Sequence, residues 1–221
     1  MKPIAIIDCA IEKPAISCFN QLVTTYQLPF TYHAPPLNGF DSLKHSINQA
    51  SAYFIFGSYS HVHQKLDWQI KLASFIKDRI LNNIPVIGIC FGHQLVAHIF
   101  GGTIGEKKSY NGYRKITIEK DLWNFQQEDQ FNLIVLHEQE IINLPTCFDV
   151  IASSKDCEYE MVCHKEYPYF GIQAHPEASI DFIEKSIQKK INQNTIDSIA
   201  KDSKKVIEKL LKNITSDTSN P

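Results

Sequence analysis

The chain has 221 residues and a formal net charge of -2 at pH 7, and 43% of its residues are hydrophobic. A chain of this length and composition can bury a full core without a metal or disulfide staple, and its near-neutral charge argues against a protein that binds a nucleic-acid backbone. No apolar run has the ~18 residues of a membrane span or the form of a secretory leader, and the six cysteines include no CxxC pair. We therefore expect a protein of the reducing cytoplasm with free thiols and with neither membrane nor nucleic acid as a partner.

Three short runs that are apolar at every position predict strands covered on both faces: residues 3–7, 52–56 and 85–89. Between the second and third runs, residues 66–80 predict a helix, with apolar positions near helical spacing at Leu66, Ile70, Ala73 and Ile76. Strand, helix and strand at this spacing indicate βαβ units and a parallel sheet with right-handed crossovers.

The sequence pattern changes after residue 103, where short runs rich in β-forming residues are separated by polar turns. These runs are residues 114–118, 133–136, 150–152 and 159–163. We interpret them as hairpins and strands added to the edge of the same sheet. After residue 179 the pattern becomes helical: Ile183, Ile187 and Ile191 lie four apart, and a second apolar stripe runs from Val206 to Ile214.

A G-x-C-x-G motif with Cys90 at its centre stands at the end of the third apolar run. An apolar, helix-like stretch follows it, which is the layout of a nucleophile elbow with Cys in place of Ser. Gly88 and Gly92 avoid the collisions that a strained turn at the nucleophile would cause. The helix that begins there would stabilise a thiolate and would offer the N–H of Phe91 to an oxyanion. A lone cysteine is more often an ordinary buried residue, but the flanking glycines and the strand-to-helix position favour a nucleophile.

A nucleophilic cysteine needs a base, and His175 is the best placed of the nine histidines. It follows a short apolar run, and Pro176 ends that strand. Glu177, two residues beyond the histidine, can reach back to the far imidazole nitrogen. We predict a catalytic triad of Cys90 as nucleophile, His175 as base and Glu177 as the group that orients the base.

Segments 88–94 (GICFGHQ) and 171–177 (GIQAHPE) together resemble the two motifs of the class I, triad-type glutamine amidotransferases. The resemblance covers about residues 3–185. It implies an α/β fold, a flavodoxin-like three-layer sandwich with a mostly parallel central sheet, added β-hairpins and C-terminal helices. The domain would span residues 1–185, with a helical extension at 186–215 packed on or beside it and a disordered tail at 216–221.

The same resemblance assigns further residues around the triad. It implies that the backbone N–H near Gly57 is the second oxyanion donor, beside that of Phe91. It also implies that Ser58, Gln94 and His137 bind the substrate, with the backbone around His137 touching it.

The resemblance implies hydrolysis of the side-chain amide of glutamine through a γ-glutamyl thioester on Cys90. The ammonia would pass to a separate synthase subunit, because the segment after Glu177 has no nucleotide-binding motif and is too short for an ATP-dependent synthase. The chain is also similar to stand-alone γ-glutamyl peptidases, in segments 101–105, 112–118, 137–140 and 159–161. Cleavage of a glutathione-like γ-glutamyl peptide or conjugate therefore stays open.

Two further classes receive less support from the sequence. A non-catalytic regulatory protein could use the same scaffold, but it would have no need of a complete triad. A metal site at His61 and His63, or at His93 and His98, lacks a convincing third and fourth ligand. We therefore predict an enzyme with neither metal nor cofactor.

Overall fold

Within residues 1–187 and 191–215, which the computed structural model describes, the backbone forms one nine-stranded sheet with helices packed against it. The strands are β1 (Ile4–Ile7), β2 (Phe30–His33), β3 (Ala52–Ile55), β4 (Val86–Ile89), β5 (Thr103–Ile118), β6 (Gln130–Asn143), β7 (Phe148–Ser153), β8 (Met161–His164) and β9 (Tyr169–Ile172). The predicted disordered tail at 216–221 lies outside the described residues, as do residues 188–190 of the predicted extension.

The helices are α1 (Ile16–Tyr26), α2 (Pro35–Asn38), α3 (Asp41–His45), α4 (Asp67–Leu81), α5 (Phe91–Ile99), α6 (Ile180–Ser186) and α7 (Gln193–Thr215), with a 3₁₀ turn at Val62–Gln64. None of these helices is both long and apolar enough to cross a membrane.

The parallel half of the sheet has the strand order β2-β1-β3-β4-β9. This is the flavodoxin-like order, in which ligands bind beyond the carboxyl ends of the strands. All residues of β1, β3, β4 and β9 are buried, because α1 and α7 pack on one face of the sheet and α4 and α5 on the other. The three strands predicted from the fully apolar runs are thus confirmed.

The other half of the sheet corrects the expectation of a mostly parallel sheet. Continuing from β9, strands β8, β7, β5 and β6 pair antiparallel, so half of the pairings between described strands are antiparallel. The short polar turns between these strands explain the difference, because a parallel pair requires a crossover of a dozen or more residues. The hairpins are nevertheless added to the same sheet, as predicted.

The predicted helix at residues 66–80 is present as α4, but only part of the predicted apolar row is buried. Leu66 and Ile70 are 42% and 56% exposed, whereas Leu72, Ile76 and Ile80 are buried against the sheet. Leu66 precedes the first turn of the helix, and of the predicted apolar positions only Ile76 belongs to the fully buried row.

Two apolar stripes are predicted for C-terminal helices. The stripe from Val206 to Ile214 lies on one helix as predicted, whereas the stripe at residues 183, 187 and 191 does not. Helix α6 ends at Ser186 and Ile187 is extended, so Ile183, Ile187 and Ile191 do not share a helix. The three still pack in one cluster, which also contains Ile134 of β6. The stripe of α7 is buried in the same core as the parallel strands, and α7 is further held by Asp202, which accepts a hydrogen bond from the N–H of Asn132 at 2.9 Å.

Because α7 belongs to the main core, removing one of its buried side chains should destabilise the whole domain. We expect Leu210→Ala to lower the free energy of unfolding by about 2–5 kcal/mol, since Leu210 is fully buried. Urea denaturation measures this loss. Lys212→Ala, at an exposed position of the same helix, should change stability by less than about 0.5 kcal/mol. Equal effects of the two substitutions would show that α7 is not part of the core.

Candidate active site

Cys90 occupies a strained turn between β4 and α5. Its φ of 49° and ψ of -103° lie where non-glycine residues are rarely found, and such strain is concentrated at functional sites. The backbone N–H of Cys90 donates to the carbonyl of Ile172 at 2.8 Å, which fixes the turn beside the end of β9. The turn therefore has the strained strand-to-helix geometry that the sequence predicts for a nucleophile elbow.

The two glycines of the motif allow the elbow to pack closely. A Cβ placed on Gly88 would lie 2.6 Å from the carbonyl group of Gly92, and one on Gly92 would lie 2.6 Å from the carbonyl oxygen of Ile55. Both distances are shorter than van der Waals contact allows. Side chains at these positions would therefore push α5 away from β4 and β3 and displace Cys90.

His175 and Glu177 form a buried hydrogen-bonded pair. The Nδ1 atom of His175 lies 2.8 Å from Oε1 of Glu177, and both residues are at least 95% buried. The backbone N–H of His175 donates to the carbonyl of Ile134 on β6 at 2.8 Å. The Nε2 atom of His175 is buried without a hydrogen-bond partner among the described residues. It is therefore the ring nitrogen available for proton transfer.

The electrostatic setting of His175 favours its charged form. Burial opposes the charge of the ring, but the interactions of the ring with the carboxylate of Glu177 and with Cys90 outweigh this effect and hold the pKa of His175 well above its usual value. The imidazolium is thus the form that this site stabilises near neutral pH.

Gly57 brings the loop after β3 against the other predicted residues. A Cβ on Gly57 would lie 2.9 Å from Cε1 of His175 and 3.6 Å from Cβ of Cys90. Phe91 is the first residue of α5, so helix geometry gives its N–H no intrahelical acceptor. Both predicted oxyanion donors therefore lie next to Cys90 in the chain or in space.

A cavity of about 120 Å³ lies beside Cys90. At roughly 10–15 Å³ for each water-sized position, it has room for about ten non-hydrogen atoms, the size of one free amino acid. Its lining residues are Ser58, Tyr59, Ser60, His61, Cys90, Gln94, Leu136, His137, Glu138 and Gln139. The loop after β3 and strand β6 form its two walls.

The predicted substrate-binding residues all line this cavity, but their side chains differ in the hydrogen-bonding groups that remain free for a substrate. The Nε2 atom of Gln94 donates to the carbonyl of Gln139 at 2.6 Å and to Oε1 of Gln173 at 3.1 Å, which leaves the Oε1 of Gln94 as an acceptor. The hydroxyl of Ser58 accepts from the N–H of Ser60 at 3.0 Å and shapes the loop.

His137 is the third of these lining residues. Its ring lies 2.9 Å from Oε1 of the buried Glu140 and is thus engaged within β6. The carbonyl of the preceding residue, Leu136, accepts a hydrogen bond from Sγ of Cys90 at 3.8 Å. This wall of the cavity therefore presents a peptide carbonyl close to the thiol.

Sequence reasoning missed Gln69, which holds the loop after β3. Gln69 is 2% exposed, and its side-chain amide donates to the hydroxyl of Ser60 and to the carbonyl of His61, both at 2.9 Å. The available signal is a glutamine three residues before Leu72, in the buried row of α4. A helical spacing counted from Leu66 conceals that row.

A buried ionic network behind β6 was also missed. Arg114 of β5 contacts Oε1 of Glu160 at 2.7 Å and lies 4.0 Å from Oε1 of Glu140, which in turn contacts His137. Arg114, Glu140 and Glu160 are at least twenty positions apart in sequence, so no local pattern could reveal the network.

The other thiols have the character of core residues. Burial raises the pKa of Cys18 and Cys163 to about 11, and it raises the pKa of Cys9 and Cys157 well above the usual value. Cys147 is half-buried. In the part of the chain that the structure describes, no group of three or more His, Cys, Asp or Glu side chains is placed to hold a metal ion.

The chain is similar to known proteins that act on glutamine or on γ-glutamyl compounds. The family model for class-I glutamine amidotransferase matches residues 26–192. A glutamine-hydrolyzing subunit of the GMP synthase of Methanococcus aeolicus is 37% identical over 113 residues, which are 50% of this chain and 60% of that protein. Gamma-glutamyl peptidase 3 of Arabidopsis thaliana is 28% identical over 163 residues, which are 70% of this chain and 65% of that protein. The chain therefore matches less than two thirds of the length of these curated relatives.

A solved structure has the same fold over nearly the full chain. The glutamine amidotransferase of Methylobacillus flagellatus superposes with a TM-score of 0.78 over 96% of this chain and 95% of its own, at 19% identity.

The charge on His175 can be tested by an NMR pH titration of its ring. We expect a midpoint well above the 6.5 of an ordinary histidine, so that the ring keeps its charged-form signal as the pH rises past neutrality. Glu177→Gln should lower this midpoint, because the neutral amide no longer stabilises the imidazolium. Glu184→Gln, at an exposed position of α6, should leave it unchanged. An unchanged midpoint in Glu177→Gln would mean that the carboxylate does not sustain the charge.

Close packing at the elbow predicts a second, independent result. We expect Gly88→Ala to lower the free energy of unfolding by about 1–3 kcal/mol, because the new methyl group overlaps the backbone of Gly92. At Gly112 of β5 the nearest atom to an added Cβ is 3.6 Å away, on the ring of Tyr110. Gly112→Ala should therefore stay within about 0.5 kcal/mol of wild type. Urea unfolding of the two variants compares them directly, and equal stabilities would contradict the proposed crowding.

Proposed function

Because the chain belongs to the class-I glutamine amidotransferase family, we propose that it hydrolyses the side-chain amide of glutamine to glutamate and ammonia. The observation that carries this proposal is the buried His175–Glu177 pair, 2.8 Å apart, beside a strained cysteine at a helix N-terminus. The adjoining cavity has the size of one amino acid.

In the first half of the reaction, the thiolate of Cys90 attacks the carboxamide carbon of glutamine. A sulfur–carbon bond forms, and the carbonyl π electrons move to oxygen. The N–H groups of Phe91 and of the Gly57 loop would stabilise this oxyanion, and the loss of one such donor costs about 2.7–4 kcal/mol of barrier. The intermediate collapses as the His175 imidazolium gives its Nε2 proton to the amide nitrogen. The carbon–nitrogen bond breaks, ammonia leaves, and a γ-glutamyl thioester remains.

In the second half, neutral His175 takes a proton from water as the water oxygen attacks the thioester carbon. A second oxyanion forms in the same place. Its collapse breaks the carbon–sulfur bond and returns the thiolate of Cys90. Glutamate leaves after its new carboxyl group gives a proton to solvent. The imidazolium–thiolate pair is then restored for the next turnover.

Glu177 supports both halves of this cycle without touching the substrate. Its bond to Nδ1 of His175 fixes the tautomer and the direction of Nε2, and its charge stabilises the imidazolium. A non-catalytic regulator on the same scaffold would have no use for this arrangement.

We propose that the ammonia is used by a separate synthase chain. This proposal rests on the relative from Methanococcus aeolicus, which is named as one subunit of a glutamine-hydrolyzing synthase. A second candidate function is cleavage of a γ-glutamyl peptide, in which an amino-peptide leaves instead of ammonia. This second candidate is supported by the similarity to the Arabidopsis γ-glutamyl peptidase, which extends over 70% of this chain. Both reactions would use the same thioester.

A side-by-side turnover assay with glutamine and glutathione separates the two candidates. We expect ammonia and glutamate from glutamine, with no product from the variant Cys90→Ala, because the nucleophile is absent. Cys147→Ala is the matched control, since this half-buried thiol does not line the cavity, and it should keep the wild-type rate.

Release of cysteinylglycine from glutathione, with glutamine left intact, would replace the first function by the second. Substantial turnover of either substrate by Cys90→Ala would show that Cys90 is not the nucleophile.

A further inference from the structure

The side-chain amide of Gln94 lies where three segments of the active site meet. Gln94 is one helical turn after Cys90, and its backbone N–H donates to the carbonyl of Cys90 at 3.0 Å. Its side chain contacts Gln139 on β6 and Gln173, which directly follows β9. The three glutamines are each at least 96% buried. The segments that they belong to carry the nucleophile, a wall of the cavity and the base, so their contact affects all parts of the site.

Hydrogen-bond chemistry fixes the direction in which the amide of Gln94 faces. A backbone carbonyl can only accept, so the atom of Gln94 that lies 2.6 Å from the carbonyl oxygen of Gln139 is the nitrogen. The second hydrogen on that nitrogen goes to Oε1 of Gln173 at 3.1 Å. Because both donor hydrogens are engaged, Gln94 offers the cavity only an acceptor, its Oε1 atom.

The contact between Gln94 and Gln173 is not explained by the stability of the core. The Nε2 atom of Gln173 is buried without a hydrogen-bond partner among the described residues, and an unpaired buried donor costs free energy. Replacing both partners of a buried hydrogen bond by apolar groups of the same shape can be neutral or even stabilising. The pair of glutamines is better explained by the orientation that Gln173 imposes on Gln94.

We propose that Gln173 is a positioning residue that acts on the substrate through Gln94. This inference rests on the proposed hydrolysis of a γ-glutamyl amide. By accepting the second hydrogen of Gln94, Gln173 holds the Oε1 atom of Gln94 towards the cavity, where it accepts a hydrogen bond from an N–H group of the substrate. Gln173 is not among the described residues that line the cavity, so its effect is indirect.

The backbone around Gln173 is fixed before any substrate binds. Its own N–H donates to the carbonyl of Glu160 at 2.8 Å, and two residues later the N–H of His175 donates to the carbonyl of Ile134, also at 2.8 Å. The short segment that leads to the base is thus held at both ends. A side chain anchored on it does not have to be ordered at the expense of binding.

The first test replaces Gln173 by methionine, which is similar in length but has only a weak acceptor. We expect Gln173→Met to raise KM for glutamine roughly 3- to 10-fold, because one hydrogen of Gln94 loses its acceptor and the amide is less firmly oriented. The value of kcat should stay within about twofold of wild type, as for a contact equally strong in the ground and transition states. Gln130→Met, at the exposed start of β6, is the matched control and should leave both constants unaltered.

Urea unfolding of Gln173→Met distinguishes positioning from a general loss of structure. The substitution removes one unpaired donor, on Gln173, and creates another, on Gln94, so the unfolding midpoint should stay close to that of wild type. A rise in KM that is accompanied by a large loss of stability would contradict the positioning role.

A second variant, Gln173→Glu, retains an oxygen at the position of the acceptor. This oxygen can still accept from Gln94, so KM for glutamine should lie closer to wild type than to Gln173→Met. Equal increases of KM in the two variants would show that the acceptor atom is not responsible.

A double-mutant cycle shows whether Gln173 acts through Gln94. We expect Gln94→Met to raise KM for glutamine at least as much as Gln173→Met, and the double variant to have the KM of Gln94→Met alone. Effects that multiply in the double variant would overturn the inference, because Gln173 would then act on the substrate by another route.

Calorimetry separates failure of this inference from failure of the proposed function. It measures glutamine binding to Cys90→Ala, with and without Gln173→Met. Binding that weakens with Gln173→Met, in a protein whose wild type turns over no γ-glutamyl amide, would support the positioning role and refute the reaction. Turnover by the wild type with an unchanged KM in Gln173→Met would support the reaction and refute the positioning role. The absence of both binding and turnover would refute both.

Discussion

The parallel register between β4 and β9 is the constraint on which the site depends. Ile89 pairs with Ile172, and the N–H of Cys90 continues the ladder to the carbonyl of Ile172. The residues that follow the two strands therefore emerge side by side, although they are more than eighty positions apart in the sequence. A slip of one residue would turn every side chain of either strand to the opposite face. All residues of both strands are buried, so a difference between a polar and an apolar face cannot fix this register. The close packing of the two glycines at the elbow fixes it instead.

The antiparallel half of the sheet supplies one wall of the cavity and a backbone contact that positions His175. Strand β6 brings the carbonyl of Leu136 to the thiol, and the carbonyl of Ile134 fixes the backbone of His175. Behind this wall lies the buried contact of Arg114 with Glu160. Burying two charges adds little net stability even when they are well paired. Its value here is geometric, because the pair connects β5 to the segment that leads into β8.

The parts of this protein that could be predicted from sequence are those specified by local chemistry. Runs that are apolar at every position identify buried strands, and Cys90 between two glycines identifies a turn of unusual conformation. The proximity of His175 and Glu177 follows from their spacing around a proline. Other features depend on contacts that no local pattern encodes. The buried row of α4 is decided by which side meets the sheet, the break after Ser186 by the packing of Ile187 beside β6, and the role of Gln69 by a loop eight residues away.

The position of α7 in the main core has a consequence for biosynthesis. One hydrophobic cluster contains Ile4 of the first strand and Ile214 of the last helix, so the two ends of the described chain must meet before that core is closed. Domains fold as units as the ribosome delivers them, and here the unit is not complete until residues 206–214 have left the exit tunnel. Cys18, Cys90 and Cys163 belong to this same cluster, so their thiols become fully enclosed only after the last helix has joined the core.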